Sequence, residues 1–170
     1  MVLKELNIQP KGEGGKGKMK RIITVVCLAV FMLAVNYVAV AAELRTKAEA
    51  VALVKKAVAY INANGKEKAF AEISNPNGQF VDRELYIFVY DLNGQCMAHG
   101  LNQKMIGKVL IDLTDPDGKK FNKELIEVAK SKGKGWVDFK FTNPLTKKIQ
   151  DKTGYVELCQ DVVVGSGIYR

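Results

Sequence analysis

The stretch "ELYIFVYDLNGQCMAH", residues 84–99, decides how this chain is read. Leu85 to Tyr90 is an unbroken run of apolar and aromatic residues, which suits a strand buried on both faces. Asn93-Gly94 is the preferred dipeptide of a two-residue hairpin turn, because both positions take positive φ. Gln95 to His99 then returns as a second strand. Tyr86, Phe88 and Tyr90 share one face of the first strand, since side chains alternate with period two.

Upstream, Leu44, Ala48, Val51, Val54, Val58 and Ile61 fall at three-and-four spacing and predict an amphipathic helix over Leu44 to Asn64. Gly65 stops it, Lys66 to Ile73 forms a short second helix, and "SNPNGQF" is a loop. Downstream, "LIDLTDPDGKKF" is a turn-rich connector. Phe121 to Lys132 forms a third helix with Phe121, Leu125, Val128 and Ala129 inward. "GWVDFKF" alternates with period two, and Asn143-Pro144 turns the chain. "KTGYVELCQ" and "VVVGSGIYR" finish as two strands joined at Gln160-Asp161. This order predicts an α+β fold, with the long N-terminal helix packed on one face of a five-stranded antiparallel sheet. The connector and third helix must cross the other face, which leaves a roofed space suited to a small ligand.

The N-terminus reads as export apparatus. "IITVVCLAVFMLAVNYVAVAA", residues 22–42, follows Lys18, Lys20 and Arg21 and ends in small residues, the three-part pattern of a secretory signal. Met19 is the expected start, and cleavage is expected after Ala41 or Ala42. Residues 1–18 then stand as a mis-assigned start or disordered leader, 19–42 as the signal and 43–170 as the domain. Uncleaved, the segment is long enough to anchor the chain in a hydrocarbon core about 30 Å thick. Either way the domain is expected to be periplasmic or secreted.

Residues 1–42 hold six Lys or Arg and two acids, so the remainder carries a net charge of +4 rather than +8. The remaining lysines are scattered, without the clustered basic residues and aromatics of a nucleic-acid surface. Cys96 and Cys159 remain after export. An oxidising compartment permits a disulfide between them, and two separate buried thiols are the alternative.

Candidate chemistry narrows quickly. His99 is the only histidine, and no serine sits in a nucleophile elbow. "CMAHG" lacks the Cys-x-x-Cys-His of haem attachment, and one His with two Cys lacks zinc-ligand spacing. "LTDPDGKKFNKE" resembles a calcium loop at Asp115, Asp117, Gly118 and Glu124. Leu113 holds the position of the first carboxylate, however, and no helix precedes it. No metal, no cofactor and no enzymatic activity are expected. Recognition remains: a neutral imidazole at a strand end both donates and accepts, and a lysine pointing inward needs an anionic partner.

Several separate stretches, from "GQFVDRELYIFVYDLNGQCMAHGLNQKMIGKVLIDLTDPDGKKF" to "GKGWVDFKFTNPLT", "DKTGYVEL" and "VVVGSGIY", resemble in order a single Cache domain of the type-2 group. Such domains are the extracytoplasmic sensors of bacterial chemoreceptors and histidine kinases. The resemblance implies a PAS-like fold whose membrane-distal pocket binds small organic molecules, often carboxylates. It places Ala98-His99-Gly100-Leu101-Asn102 on a family motif that carries proline where Gly100 stands, which is expected to loosen the loop. It also matches Gly135-Trp136-Val137, Phe141 where many members have Trp, Lys152 with Tyr155, and Gly165 to Tyr169.

On that basis Tyr86, His99, Trp136, Phe141, Lys152 and Tyr155 are the expected ligand-binding residues. Lys152 would neutralise an anionic headgroup, His99 and Tyr155 would fix its oxygens, and Tyr86 and Phe141 would wall the site. The expected partners are a small-molecule ligand, a membrane receptor or histidine kinase, and a second copy paired through the N-terminal helix. The sequence stops at Arg170, just after the last strand, which points to a stand-alone exported domain.

Overall fold

A computed structural model describes residues 45–170. The leader and signal expectations lie outside those residues. Among the described residues no helix is long and apolar enough to cross a membrane.

Helix α1 spans Lys47–Asn64. Its start is fixed by a capping box, in which Thr46 Oγ1 accepts from the Glu49 N–H at 3.2 Å and Glu49 Oε2 accepts from the Thr46 N–H at 2.7 Å. Gly65, at φ +78°, ends it by donating its N–H to the Ile61 carbonyl, and α2 follows as Lys66–Ile73. The buried stripe of α1 is Ala50, Val54, Ala57 and Ile61. The expected stripe shares Val54 and Ile61, but Ala48 is exposed and Val51 and Val58 are half-buried. The helix is rotated toward its alanines, whose small side chains let it lie close to the sheet.

β1 (Val81–Asp82) and β2 (Leu85–Tyr86) form a small hairpin of their own. The main sheet holds β3 (Phe88–Asp91), β4 (Cys96–His99), β5 (Lys134–Thr142), β6 (Ile149–Cys159) and β7 (Val162–Tyr169), in the order β4-β3-β7-β6-β5, with every neighbour antiparallel. The long strand expected over Leu85 to Tyr90 is thus divided at Ile87. That residue donates its N–H to the Phe80 carbonyl and accepts from the Gly100 N–H. All six residues are nonetheless buried, as their apolar run requires.

The β3–β4 turn differs from the expected two-residue form. Of Asn93 and Gly94 only Gly94 has positive φ, at +86°. The Gly94 N–H bonds the Asp91 carbonyl, and the Asp91 N–H bonds the Gln95 carbonyl. Asp91 Oδ1 also accepts from the N–H groups of Asn93 and Gln95. The result is a three-residue loop ending in a left-handed glycine, with the pairing register shifted between Val89 and Tyr90. The β6–β7 turn falls at Gln160-Asp161 as expected, with Gln160 at φ +57°.

The sheet is covered on both faces. Val89, Ala98, Tyr155, Cys159, Val162 and Val164 pack on Val54, Ala57 and Ile61 of α1 and Ala69 and Ile73 of α2. The opposite face presents Phe88, Tyr90, Cys96, Val137, Phe139, Val156 and Val163 to α3 (Phe121–Lys132), whose Phe121, Leu125, Ile126 and Ala129 point inward. Cys96 and Cys159 therefore lie on opposite faces, both buried and both free thiols. The connector runs back along the free edge of β4, its Gly107 N–H and Lys108 carbonyl pairing with Cys96 and the Leu110 N–H with Gly94. Asp115 closes its turn by accepting the N–H groups of Asp117 and Lys119 and ties it to β5 through the N–H of Lys140.

Candidate functional site: a caged lysine beneath α3

β6 brings Lys152 opposite Phe139 of β5 and Tyr169 of β7, on the α3 face. Its side chain is only 1 % exposed. Nζ donates to the Tyr86 hydroxyl at 2.9 Å and the Tyr169 hydroxyl at 3.3 Å, and Tyr169 in turn donates to the Thr142 carbonyl at 3.0 Å. The ammonium also lies 4.2 Å from the Tyr86 ring centre, 4.6 Å from that of Tyr169 and 5.6 Å from that of Phe141. No ion pair among the described residues includes it. The cage offers hydroxyl oxygens and ring faces, which attract a cation without neutralising it.

Three glycines make room for this cage. Gly154, Gly165 and Gly167 all turn toward the α3 face. A Cβ on Gly165 would fall under 3.0 Å from the Phe88 ring, and one on Gly167 would meet Lys152 Cε at 2.9 Å. The "GSG" of β7 is therefore a flat floor on which aromatic rings and the lysine stem rest.

His99 ends β4 and is 4 % exposed. Its ring stacks on Tyr86 with centroids 4.8 Å apart. Nδ1 accepts from the N–H groups of Leu101 at 3.2 Å and Asn102 at 3.0 Å. The ring proton must then sit on Nε2, so the imidazole is a hydrogen-bond donor on its remaining edge. Burial, aided by the charge of Lys152, pushes its pKa down to about 3 and keeps it neutral. Gly100 does not loosen the following loop. Its N–H bonds the Ile87 carbonyl at 2.9 Å, and a Cβ there would lie 2.8 Å from Val81 Cγ2.

Tyr86, His99, Lys152 and half-buried Phe141 line one cavity. Phe88, Tyr90, Asn122 and Phe139 line it as well, with Phe121 and Leu125 from α3. The cavity holds about 10 Å³ of room for the centre of a water-sized sphere, enough for about one water. A larger guest requires a wall to move, and Phe141 is the lining side chain that is not fully buried. Burial pushes the phenols of Tyr90 and Tyr169 up, so both stay protonated.

Trp136 and Tyr155 lie elsewhere. They face each other across β5 and β6 on the α1 side of the sheet, rings 4.9 Å apart. Lys47 of α1 covers the indole at 5.1 Å, and the Tyr155 hydroxyl donates to Glu157 at 2.6 Å. Tyr155 stands three residues from Lys152, and an odd spacing on a strand reverses the face. Tyr90 and Asn122 line the cavity and Tyr169 accepts from Lys152, and none of the three is among the expected ligand-binding residues. Asn122 was visible as a polar residue on the inward stripe of α3, whereas Tyr169 joins Lys152 only through the β6–β7 register.

The family model described as Single Cache domain 2 matches residues 16–170. The sensor histidine kinase MctS of Rhizobium johnstonii is 41% identical over 86 residues, 49% of this chain and 18% of the kinase. The chain thus spans less than a fifth of that relative's length. A crystal structure of a methyl-accepting chemotaxis protein from Vibrio parahaemolyticus superimposes with a TM-score of 0.63 at 28% identity, covering 72% of this chain and 87% of that one. A structure described as the basis for carboxylic acid recognition by a Cache chemosensory domain gives 0.61 at 27% identity, covering 71% and 90%.

Proposed function

The chain belongs to the single Cache domain 2 family, and we propose that it binds a small monocarboxylate in the cavity beneath α3, as an extracytoplasmic sensor. The observation that carries this reading is the caged ammonium of Lys152, buried among hydroxyls and rings with no carboxylate of the described residues against it. A buried cation is stable when an anion and hydrogen bonds complete its surroundings. A guest carboxylate would do both, accepting from Lys152 Nζ and from the Nε2–H of His99. Carboxylic acid recognition by a Cache domain of similar structure supports the same class.

A single charge fits better than two. Among the described residues Lys152 is the one cation lining the cavity, and the remaining wall includes Phe88, Phe121, Leu125 and Phe139. A second carboxylate would be buried against that apolar surface uncompensated. His99 favours recognition over proton transfer, because its acceptor nitrogen is already occupied by two backbone N–H groups.

Export by the segment from Met19 to about Ala42, with a single Cache domain over residues 43–170, completes the proposal. Docking on a membrane receptor or kinase through an apolar strip of α1 gains no support from that helix. Its outward positions include Ala48, Ala52, Lys55, Lys56 and Ala59, and the exposed large apolar residues all lie outside it.

A thermal-shift series with acetate, propionate, succinate and ethylamine tests the reading. Ligand at about 100 times its dissociation constant stabilises the folded state by about 2.7 kcal/mol. A rise with the monocarboxylates alone is expected. Stabilisation by the amine, or by no organic anion, overturns the reading.

A further inference from the structure

Asn122, the second residue of α3, lines the cavity and is 0 % exposed. Its Nδ2 donates to the Leu110 carbonyl at 2.9 Å, which fixes the orientation of the amide. Its Oδ1 is buried and has no hydrogen-bond partner among the described residues. Such an acceptor is costly to leave unpaired, and a buried polar atom without a partner that lines a cavity points to a missing donor.

We propose that Asn122 is the specificity-determining residue of this cavity, accepting a hydrogen bond from a hydroxyl carried next to the guest's carboxylate, so that the preferred ligands are short hydroxy monocarboxylates. The inference rests on the carboxylate reading above and adds a second recognition element to it. Lys152 Nζ and the Nε2–H of His99 both donate and suit the carboxylate end. Asn122 Oδ1 only accepts, and a plain fatty acid leaves it unpaired.

Three kinds of group beside a carboxylate can be weighed against this arrangement. An ammonium would donate to Asn122, but it would add a second cation near Lys152 in a cavity that no acidic residue lines among the described residues. A 2-oxo group brings only lone pairs toward an oxygen that needs a proton. A hydroxyl donates without charge. The amide cannot serve the others by turning over, because the flip would set its oxygen against the Leu110 carbonyl.

Calorimetry with four acids that share a three-carbon skeleton and differ at C2 tests the assignment: propionate, lactate as separate enantiomers, pyruvate and alanine. The better lactate enantiomer should bind about tenfold more tightly than propionate, ~1.4 kcal/mol, with pyruvate and alanine weaker than lactate. In Asn122→Leu the lactate advantage should shrink to about twofold or less while propionate still binds. Equal affinity for lactate and propionate in the unmodified protein, pyruvate or alanine ranking first, or a lactate preference that survives Asn122→Leu overturns the role of Asn122 and leaves the carboxylate reading standing. Failure of all four acids and of acetate to bind overturns both. Should Asn122→Leu fail to fold, the ranking in the unmodified protein decides alone.

Discussion

The ammonium of Lys152 rests against Tyr86, 2.9 Å from its hydroxyl oxygen and 4.2 Å from the centre of its ring, although the two residues are 66 positions apart in sequence. The same ring stacks on His99. Tyr86 therefore couples the cation to the neighbouring imidazole donor, and both are held before any guest arrives. Recognition groups fixed in advance lose little freedom on binding.

The imidazole carries a pH signature. In the unfolded chain His99 titrates near 6.5, whereas the folded protein holds it neutral down to about pH 3. Between those values the unfolded state binds the extra proton. The stability associated with a neutral His99 is therefore present above pH 6.5 and falls by about 1.4 kcal/mol per pH unit toward pH 3. His99→Asn keeps an acceptor for the loop N–H groups and removes the titration. Urea unfolding of both proteins at pH 7 and pH 5 should show the unmodified protein losing about 2 kcal/mol more than the variant. Equal losses would mean that the ring titrates normally.

The glycine floor predicts intolerance at one position. Gly165→Ala places a methyl under 3.0 Å from both the Phe88 ring and Val156. Overpacking of this kind costs about 1–3 kcal/mol. Denaturant melts should show a loss in that range, and unchanged stability would mean that the floor yields.

The two faces of β6 separate cleanly by mutation. Tyr155→Phe removes the bond to Glu157 on the α1 side and should leave carboxylate affinity within about twofold. Tyr86→Phe removes an acceptor of Lys152 and should shift affinity by more than that, since hydrogen bonds to charged groups contribute about 1.5–3 kcal/mol. Calorimetry on the two variants tests the assignment, and a larger effect from Tyr155→Phe would reverse it.

Much of this was legible in the sequence. The apolar run from Leu85 to Tyr90 announced a strand covered on both faces, and the connector followed by Phe121 to Lys132 had to roof one of them. Tyr86, His99, Phe141 and Lys152, which the sequence places in one expected site, do line one cavity. Trp136 and Tyr155 were grouped with them through motifs, although Trp136 alternates against Phe141 and Tyr155 against Lys152, so strand parity already set them apart. The division of the strand at Ile87 was not readable, because it depends on backbone partners at Phe80 and Gly100. Tyr169 ends the matched Gly165 to Tyr169 stretch, but only the register between β6 and β7 sets it beside Lys152.

The central claim is that Lys152 awaits a carboxylate, and a paired measurement on Lys152→Met tests it most directly. Removing a buried charge that lacks a counterion should leave the ligand-free protein as stable as before or more so. The same change should weaken binding of a short monocarboxylate by at least about tenfold, as expected for losing a charged hydrogen bond. Calorimetric titration beside a thermal melt reads both quantities. Lost affinity with retained or raised stability is the predicted result; unchanged affinity in a folded Lys152→Met protein would contradict the account.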